Sequence, residues 1–268
     1  MKRAITLAAT ALLAVAWMAS AQARTLDQII SDGTIRVGVN PNYPPTALYN
    51  DKNQLVGFEV DIANKLADML GVKVDYVTVT PNARIPFVTS GKIDVVMGAM
   101  TRTVDRAKLI DFTVPINTEG FGVLTTEGQS YKKVQELNTA DVTLVEVRGT
   151  TPVPWIKENL PKAKLLLLSQ WTDALRAIEQ GRATATIADF TSFGEWTKQF
   201  PNVKWRILKD TFGPAYYDCI GLTHDNTALR SWLNVALFQL KTDGFVDAAW
   251  RKWYGMDMVV PLRAQPWF

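Results

Sequence analysis

The sequence predicts an α/β protein made of two similar lobes in tandem. Strand-like and helix-like segments alternate along the chain, which is typical of parallel strands connected by helices on both faces of a sheet. The alternation then recurs, because residues 86–94 and 175–183 each combine a short helix ending at a glycine, a basic residue and the start of a strand. A chain of 268 residues is also long enough for two small lobes.

The first half of the chain supplies three predicted strands and two predicted helices. The clearest helix covers 57–70, where apolar residues recur at helical spacing and Gly71 is placed to end the helix. A second, short helix is predicted at 84–90. The predicted strands are the β-branched runs 35–39, 72–79 and 93–97.

The second half repeats this pattern, with predicted strands at 142–147, 163–168 and 183–188 and predicted helices at 154–160 and 173–180. An amphipathic helix at 226–242 follows, with one leucine stripe formed by Leu229, Leu233, Leu237 and Leu240. Residues 248–254 add a shorter, tryptophan-rich helix. Both apolar faces must be buried, and their periodicity does not tell which lobe covers them.

The first 23 residues predict a secretory signal peptide, not a part of the fold. Lys2 and Arg3 form a basic start, residues 5–18 form an apolar run, and the Ala-Gln-Ala of residues 21–23 matches a cleavage site. The alternative is a membrane anchor, which would need about 20 apolar residues. We expect cleavage after Ala23 and a periplasmic protein. Because no cysteine directly follows the apolar run, we expect no lipid anchor there.

Composition excludes several classes of protein. Loss of Lys2 and Arg3 leaves a chain close to neutral, which gives no reason to expect a nucleic-acid or membrane-surface partner. The single Cys219 excludes an internal disulfide, and its apolar neighbours favour a buried thiol. Because His224 is the single histidine and no carboxylate-rich loop occurs, we predict no metal site and no cofactor.

A ligand of such a protein is expected at the carboxyl ends of its parallel strands. The residues that follow the predicted strands suit an amino acid. A guanidinium with hydroxyl and backbone donors binds an α-carboxylate, a carboxylate binds an α-ammonium, and a tyrosine contacts the side chain. The candidates are Arg106, Thr101, Gly149, Thr150 and Thr151 for the carboxylate, Asp189 for the ammonium, and Tyr43 for the side chain, beside Asn40 and Ala99 at two strand ends.

Each candidate also has a purely structural interpretation. Arg106 lies in a charged segment whose ordinary interpretation is a solvated helix start. Asp189, Thr150 and Thr151 are all residue types that cap helices. Tyr43 fits a hydrophobic core. The set of residues at strand ends, taken together, carries the prediction of a binding site.

Several segments resemble the bacterial extracellular solute-binding proteins that serve polar amino-acid ABC transporters. The resemblance extends over the whole mature chain. The segments occur in the family's order and are GTIRVGV (33–39), LVGFEVDIA (55–63), SGKID (90–94), residues 101–106 leading into DFT (111–113), GTT (149–151) and KWYG (252–255).

The resemblance implies two Rossmann-like lobes joined by a two-strand hinge, which is the periplasmic binding protein type II fold. The first lobe would consist of residues 24–121 and 221–268 and the second of residues 122–220. The resemblance also assigns the α-carboxylate to Arg106 and Thr101 with help from 149–151, and the amine to Asp189. It implies a monomer without enzymatic activity that captures an amino-acid-like ligand and delivers it to the membrane permease of an ABC transporter.

Departures from the family pattern limit the prediction of the ligand. Residues 82–86, with Arg84, resemble the glutamate/aspartate-binding subgroup, in which an arginine here helps to hold the side-chain carboxylate. However, Asn40 stands where that subgroup has another arginine, and Trp171 stands where it has a histidine. Thr46, Ala99 and Ile116 also differ from the residues that are frequent in the family. A neutral or polar ligand therefore fits the sequence as well as glutamate.

Two other classes of function share the fold. Some relatives are prephenate or arogenate dehydratases, which need a carboxylic acid as general acid, and Glu119 and Glu146 are the carboxyls that could serve. Others are sensor or lytic-enzyme modules, which would carry a further transmembrane or catalytic segment. We expect a binding protein.

Overall fold

The structure is a computed structural model that describes residues 23–265, apart from the side chains of residues 209–211. The predicted signal peptide, except for Ala23, lies outside the described residues. Within residues 23–265, no helix is long and apolar enough to cross a membrane.

Ten strands and nine α-helices are described, together with two short 3-10 turns at Val134–Leu137 and Phe190–Ser192. The helices are α1 Leu26–Asp32, α2 Phe58–Leu70, α3 Arg84–Thr89, α4 Val104–Ala107, α5 Pro152–Asn159, α6 Trp171–Glu179, α7 Phe193–Lys198, α8 Thr227–Thr242 and α9 Phe245–Tyr254. The strands are β1 Thr34–Val39, β2 Leu48–Tyr49, β3 Leu55–Val56, β4 Lys73–Thr78, β5 Val95–Val96, β6 Asp111–Thr126, β7 Thr143–Val147, β8 Lys164–Leu168, β9 Ala185–Asp189 and β10 Trp205–Leu222.

Eight of these strands form one sheet in the order β4-β1-β5-β10-β6-β9-β7-β8, and β2 and β3 form a separate hairpin. The outer strands pair in parallel within each end of the sheet, as strands connected by helices do. The two long strands β6 and β10 run antiparallel through the centre, with several register shifts between them. They are the two strands shared by both ends of the sheet.

The hydrophobic core is divided between the two ends of the sheet. The end that contains β4, β1 and β5, here named the first lobe, buries one large cluster that includes Val37, Phe58 and Trp250, and a smaller one around Ile93. The end that contains β9, β7 and β8, named the second lobe, buries two clusters that include Trp196 and Leu144. These clusters follow the two-lobe arrangement that the repeated sequence pattern predicts.

The two C-terminal helices pack on the first lobe. The leucine stripe of α8 is buried in the same cluster as Val37 of β1, and Asn234 accepts a hydrogen bond from the backbone N–H of Val114 at 2.9 Å. In α9, the ring of Trp250 packs edge-on against Phe58 of α2 at 5.4 Å between centroids. Long-range contacts therefore decide a question that helical periodicity left open.

The predicted strands and helices are present, with ends that shift by a few residues. Gly71 ends α2 in the left-handed conformation (φ 78°), as its position predicts. The predictions omitted α1, the β2–β3 hairpin and α7, and they did not predict the full length of the two central strands. Each omission is a short element or a strand interrupted by glycine and proline, where a periodic signal is weak.

Candidate ligand-binding site

A polar cavity lies between the two lobes, at the carboxyl ends of their strands. It has a volume of about 380 Å³, part of it open to solvent, and the lobes meet at its edge, where Arg84 and Arg106 of the first lobe donate to the carbonyl of Gly149. Eight of the ten predicted site residues line it: Asn40, Tyr43, Arg84, Ala99, Thr101, Thr150, Thr151 and Asp189. The remaining two, Arg106 and Gly149, contact each other at its edge.

Two oppositely charged side chains hold the backbone after β5. Glu59 of α2 accepts hydrogen bonds from the backbone N–H groups of Gly98 and Ala99, at 2.5 and 2.8 Å. Arg84 donates to the carbonyl groups of the same two residues. Ala99 is fixed in the left-handed region (φ 55°), which is costly for a residue with a side chain and is found where surrounding contacts enforce it.

Arg84 has little capacity left for a ligand. It is buried, and each of its three guanidinium nitrogens donates to a backbone carbonyl: Nε to Pro81, one terminal nitrogen to Gly98 and Ala99, and the other to Gly149 at 3.0 Å. Burial, together with the nearby Arg106, lowers its pKa to about 9. This arrangement favours a structural task over the carboxylate contact that the resemblance implied.

Arg106 retains free N–H groups. Its two terminal nitrogens donate to the carbonyls of Thr101 and Gly149, at 2.5 and 2.9 Å, and Nε donates to none of the described residues. The side chain is half-buried on the short helix α4, where Thr103 caps the backbone N–H of Arg106. Arg106 is therefore not a fully solvated charge, and it keeps the donors that a carboxylate requires.

The second lobe contributes the turn after β7. Gly149 has a φ of 84° and directs its carbonyl toward the first lobe, where both Arg84 and Arg106 donate to it. The Thr150 hydroxyl donates to the carbonyl of Val147 at 2.7 Å. Thr151 begins α5 without capping it through its side chain, so its hydroxyl remains free for a ligand.

Asp189, at the end of β9, is both buried and well supplied with donors. Its carboxylate accepts hydrogen bonds from the backbone N–H groups of Gly120 and Thr191, at 3.3 and 3.4 Å, and from the Thr191 hydroxyl. Burial raises its pKa to about 7 in spite of these donors. The helix-cap interpretation thus describes a real contact, and the same carboxylate still lines the cavity.

Aromatic side chains form one wall of the cavity and join the lobes. Tyr43 of the first lobe packs edge-on against Trp171 and Trp196 of the second, with centroids 5.7 and 5.1 Å apart. Trp196 also donates through its indole N–H to the carbonyl of Pro44 at 2.9 Å. Tyr43 is therefore buried between lobes, which explains why an assignment to core and an assignment to the site both fit its sequence.

The central strands supply an acidic pair. Glu119 of β6 lines the cavity at 5% exposure and accepts a hydrogen bond from the Thr101 hydroxyl at 3.4 Å. Asp218 of β10 is buried beside it, and its Oδ1 accepts no hydrogen bond from a described residue. Burial raises the pKa of Glu119 well above its usual range, and the nearby Asp218 and Asp189 raise it further.

Sequence reasoning did not assign several of the lining residues to the ligand. Trp171, Phe121 and Glu119 line the cavity, and Trp171 lies three residues after the end of β8, so the strand-end rule could have included it. Glu119 was singled out as a candidate general acid only. Glu146, the other candidate acid, lies inside the second lobe, where it accepts from the backbone N–H of Ile187 at 2.7 Å and does not line the cavity.

The remaining special residues have structural roles. Cys219 is buried, and burial raises the pKa of its thiol to about 12. His224 pairs with Asp111 at 2.8 Å. Among residues 23–265, no group of three or more histidine, cysteine and acidic side chains could hold a metal ion.

Two lobes that close over a polar cavity define a class of ligand-binding proteins, and comparison with known proteins identifies the family. Residues 35–256 match the model of bacterial extracellular solute-binding proteins, family 3. The ABC transporter glutamine-binding protein GlnH of Bacillus subtilis (strain 168) is 29% identical over 240 residues, which are 87% of this chain and 85% of that protein.

Solved structures give the same result. The ancestral amino acid-binding protein AncCDT-1, a precursor of cyclohexadienyl dehydratase, superposes with a TM-score of 0.79 at 33% identity, covering 85% of this chain and 99% of that chain. The solute receptor for L-cysteine of Neisseria gonorrhoeae has a TM-score of 0.79 at 31% identity, covering 85% and 93%.

The chain belongs to the bacterial extracellular solute-binding proteins, family 3. The predicted periplasmic binding protein type II fold is confirmed, and so is the prediction of a solute-binding protein in preference to an enzyme. Because the family is extracellular, the chain is exported. The roles of individual residues, the lobe boundaries and the cleavage position stay predictions.

Proposed function

We propose that this protein captures an amino acid or a similar small zwitterion between its lobes and delivers it to the membrane permease of an ABC transporter. The observation that carries the proposal is the pairing of opposite charges around one closed cavity. Arg106 has free N–H groups at one edge, and the buried carboxylate of Asp189 lines the same cavity. A zwitterion needs one partner of each sign.

The similar proteins support this class of ligand and do not single out one amino acid. One is named for glutamine, one for L-cysteine, and one as an ancestral amino acid-binding protein. Arg106, Thr101 and residues 149–151 suit the α-carboxylate, and Asp189 suits the ammonium. Tyr43, Asn40, Ala99 and Arg84 complete the wall, Arg84 through its backbone contacts.

Binding of this kind requires the lobes to close, and the proposed division of the chain fits that motion. With crossings near residues 121 and 221, the first lobe would consist of 24–121 and 221–268 and the second of 122–220. The chain would then cross twice along β6 and β10, the two strands shared by both ends of the sheet. Closure would stabilise the bound state through contacts made only when the lobes meet.

We also propose that the exported protein is a monomer that begins at Arg24. Arg24 belongs to the folded structure, because its Nε donates to Asp94 at 3.0 Å and its carbonyl accepts from Asn226 at 2.7 Å. Cleavage after Ala23 would keep these contacts. N-terminal sequencing of the exported protein checks the first residue, and any first residue other than Arg24 would contradict the proposed cleavage.

The function is tested by identifying the ligand and by removing one charge. Mass spectrometry of protein purified without refolding should detect a small zwitterion released on denaturation. Arg106→Ala should weaken binding of that compound at least about 30-fold, because truncating one partner of a desolvated charge pair costs about 2 kcal/mol or more. Titration calorimetry measures the change.

Arg102→Ala is the matched control, because Arg102 is exposed four positions earlier and lies over the ring of Tyr217 outside the cavity. It should leave the affinity nearly unchanged. Equal affinities of both variants and the wild type, or the absence of binding to any amino acid, would refute the proposal.

A further inference from the structure

The cavity offers a ligand more acidic groups than basic ones. Arg84 is occupied by backbone carbonyls, and Glu59 accepts backbone N–H groups of the same loop, so these two side chains offer a ligand little. Arg106 is then the cation with free N–H groups. On the acidic side, both Glu119 and Asp189 line the cavity.

The two acids differ in how well the protein supplies them with donors. Asp189 accepts two backbone N–H groups and one hydroxyl. Glu119 accepts a single hydrogen bond, from a hydroxyl at 3.4 Å, and no backbone N–H among the described residues donates to it. Glu119 therefore has unused acceptor capacity at the cavity wall, at 5% exposure.

Behind Glu119 lies a second carboxylate instead of a cation. Asp218 accepts from Asn117 through Oδ2 at 3.1 Å, while its Oδ1 is buried without a donor from the described residues. Burial raises the pKa of Glu119, and the nearby Asp218 raises it further. Two carboxyl groups therefore lie together at this wall, and among the described residues no arginine or lysine nitrogen forms a hydrogen bond with either of them.

A ligand of zero net charge offers no further cationic group to these two carboxyl groups. Its carboxylate would use Arg106 and its ammonium would use Asp189. A buried charge without a partner is costly, whereas a second cationic group on the ligand would pair with it. An anionic side chain would add a like charge to the site and would be rejected.

We infer that the site takes an amino acid with a positively charged side chain and that Glu119 is the residue that selects it. The inference rests on the proposed function, because it assumes that the α-carboxylate and α-ammonium occupy Arg106 and Asp189.

Calorimetry with two pairs of amino acids separates side-chain charge from side-chain length. L-arginine is compared with the neutral L-citrulline, and the shorter L-2,4-diaminobutyrate with the neutral L-homoserine. In at least one pair the cationic member should bind at least about tenfold more tightly to the wild type, the size expected for one charge contact. L-glutamate should bind more weakly than every neutral member.

The variant Glu119→Gln preserves shape and removes the ionisable carboxyl that a cationic side chain would pair with, so it should abolish the preference for the cationic member while neutral amino acids still bind. Glu146→Gln is the matched control, because Glu146 is also a buried glutamate but does not line the cavity. It should keep the preference. Circular dichroism verifies that both variants are folded.

The outcomes separate this inference from the proposed function. Neutral amino acids that bind the wild type as tightly as their cationic partners overturn the inference and leave the proposed function in place. A cationic preference that persists in Glu119→Gln overturns the role of Glu119. Binding of no amino acid at all, in the panel or from the purified protein, overturns the proposed function itself.

Discussion

A methyl group added at Gly149 should keep the two lobes apart. A Cβ built there would lie 2.8 Å from Cα and 2.9 Å from N of Asn82, which are backbone atoms of the first lobe. Since carbon atoms pack at about 3.5–4.0 Å, the lobes would have to separate by roughly 1 Å at this point. The carbonyl of Gly149 would then move beyond hydrogen-bond distance of Arg84 and Arg106, which now lie at 3.0 and 2.9 Å.

The size of the expected loss of affinity follows from these two hydrogen bonds. A hydrogen bond to a charged group contributes about 1.5–3 kcal/mol, so loss of both destabilises the closed state by about 3 kcal/mol or more. Because the ligand binds between closed lobes, Gly149→Ala should weaken its affinity at least about 100-fold. Calorimetry with the amino acid identified from the purified protein measures this loss. With that ligand present, small-angle X-ray scattering should show a larger radius of gyration for Gly149→Ala than for the wild type.

Gly181→Ala separates closure from backbone strain. Gly181 also has a positive φ, 69°, but its Cβ would meet no atom within 4 Å. Both variants should lose about 1–2 kcal/mol of stability from the left-handed conformation. Only Gly149→Ala should lose affinity. Equal affinity of the two variants, or an unchanged radius of gyration in Gly149→Ala, would refute the reasoning.

Two further variants test other contacts. Trp196→Phe removes the N–H that binds Pro44 across the cleft and should weaken ligand binding about fivefold, since such a bond contributes about 1 kcal/mol. Calorimetry measures this loss. Trp205→Phe is the control and should leave the affinity unchanged, because the N–H of Trp205 donates within the second lobe. Asp94 has a lowered pKa, because hydrogen bonds from two arginine side chains outweigh the effect of burial. Its stabilising contribution is therefore present above the unfolded pKa of about 3.9 and is lost as the pH falls through the lower folded value. Asp94→Asn should lower the melting temperature at pH 7, and its difference from the wild type should narrow below about pH 4; a constant difference would contradict this assignment.

Local patterns predicted the elements that make local contacts. The parallel strands around β1 and β7 follow from runs of β-branched and apolar residues, and α2 follows from helical periodicity and Gly71. The strand-end rule also located the cavity, because parallel strands in both lobes direct their carboxyl ends to one place. Residue patterns within single segments were therefore sufficient to predict these strands, this helix and the position of the cavity.

The features that sequence reasoning missed depend on contacts between distant residues. Arg84 was assigned to a ligand carboxylate, since a sequence does not reveal that backbone carbonyls of Gly98, Ala99 and Gly149 converge on its nitrogens. Glu119 gave a signal, a carboxyl within an otherwise uncharged run of a strand, but only the pairing of β6 with β10 brings Asp218 beside it. The acidic character of this wall therefore depends on the pairing of two strands that are distant in the sequence, which a local sequence pattern does not reveal.

In the proposed site, recognition and closure use different N–H groups of one side chain, Arg106. Arg106 donates to Gly149 across the cleft in the closed arrangement, and the N–H groups that remain are those a ligand carboxylate would accept. A ligand shifts an equilibrium between open and closed lobes only as far as it binds one state better than the other. A ligand carboxylate at Arg106 would bind the closed state better than the open state, because Thr150 and Thr151 of the second lobe approach it only on closure. If Arg106 binds the ligand as proposed, the same side chain also helps to hold the lobes together, and a substitution at Arg106 should alter affinity and closure in the same direction.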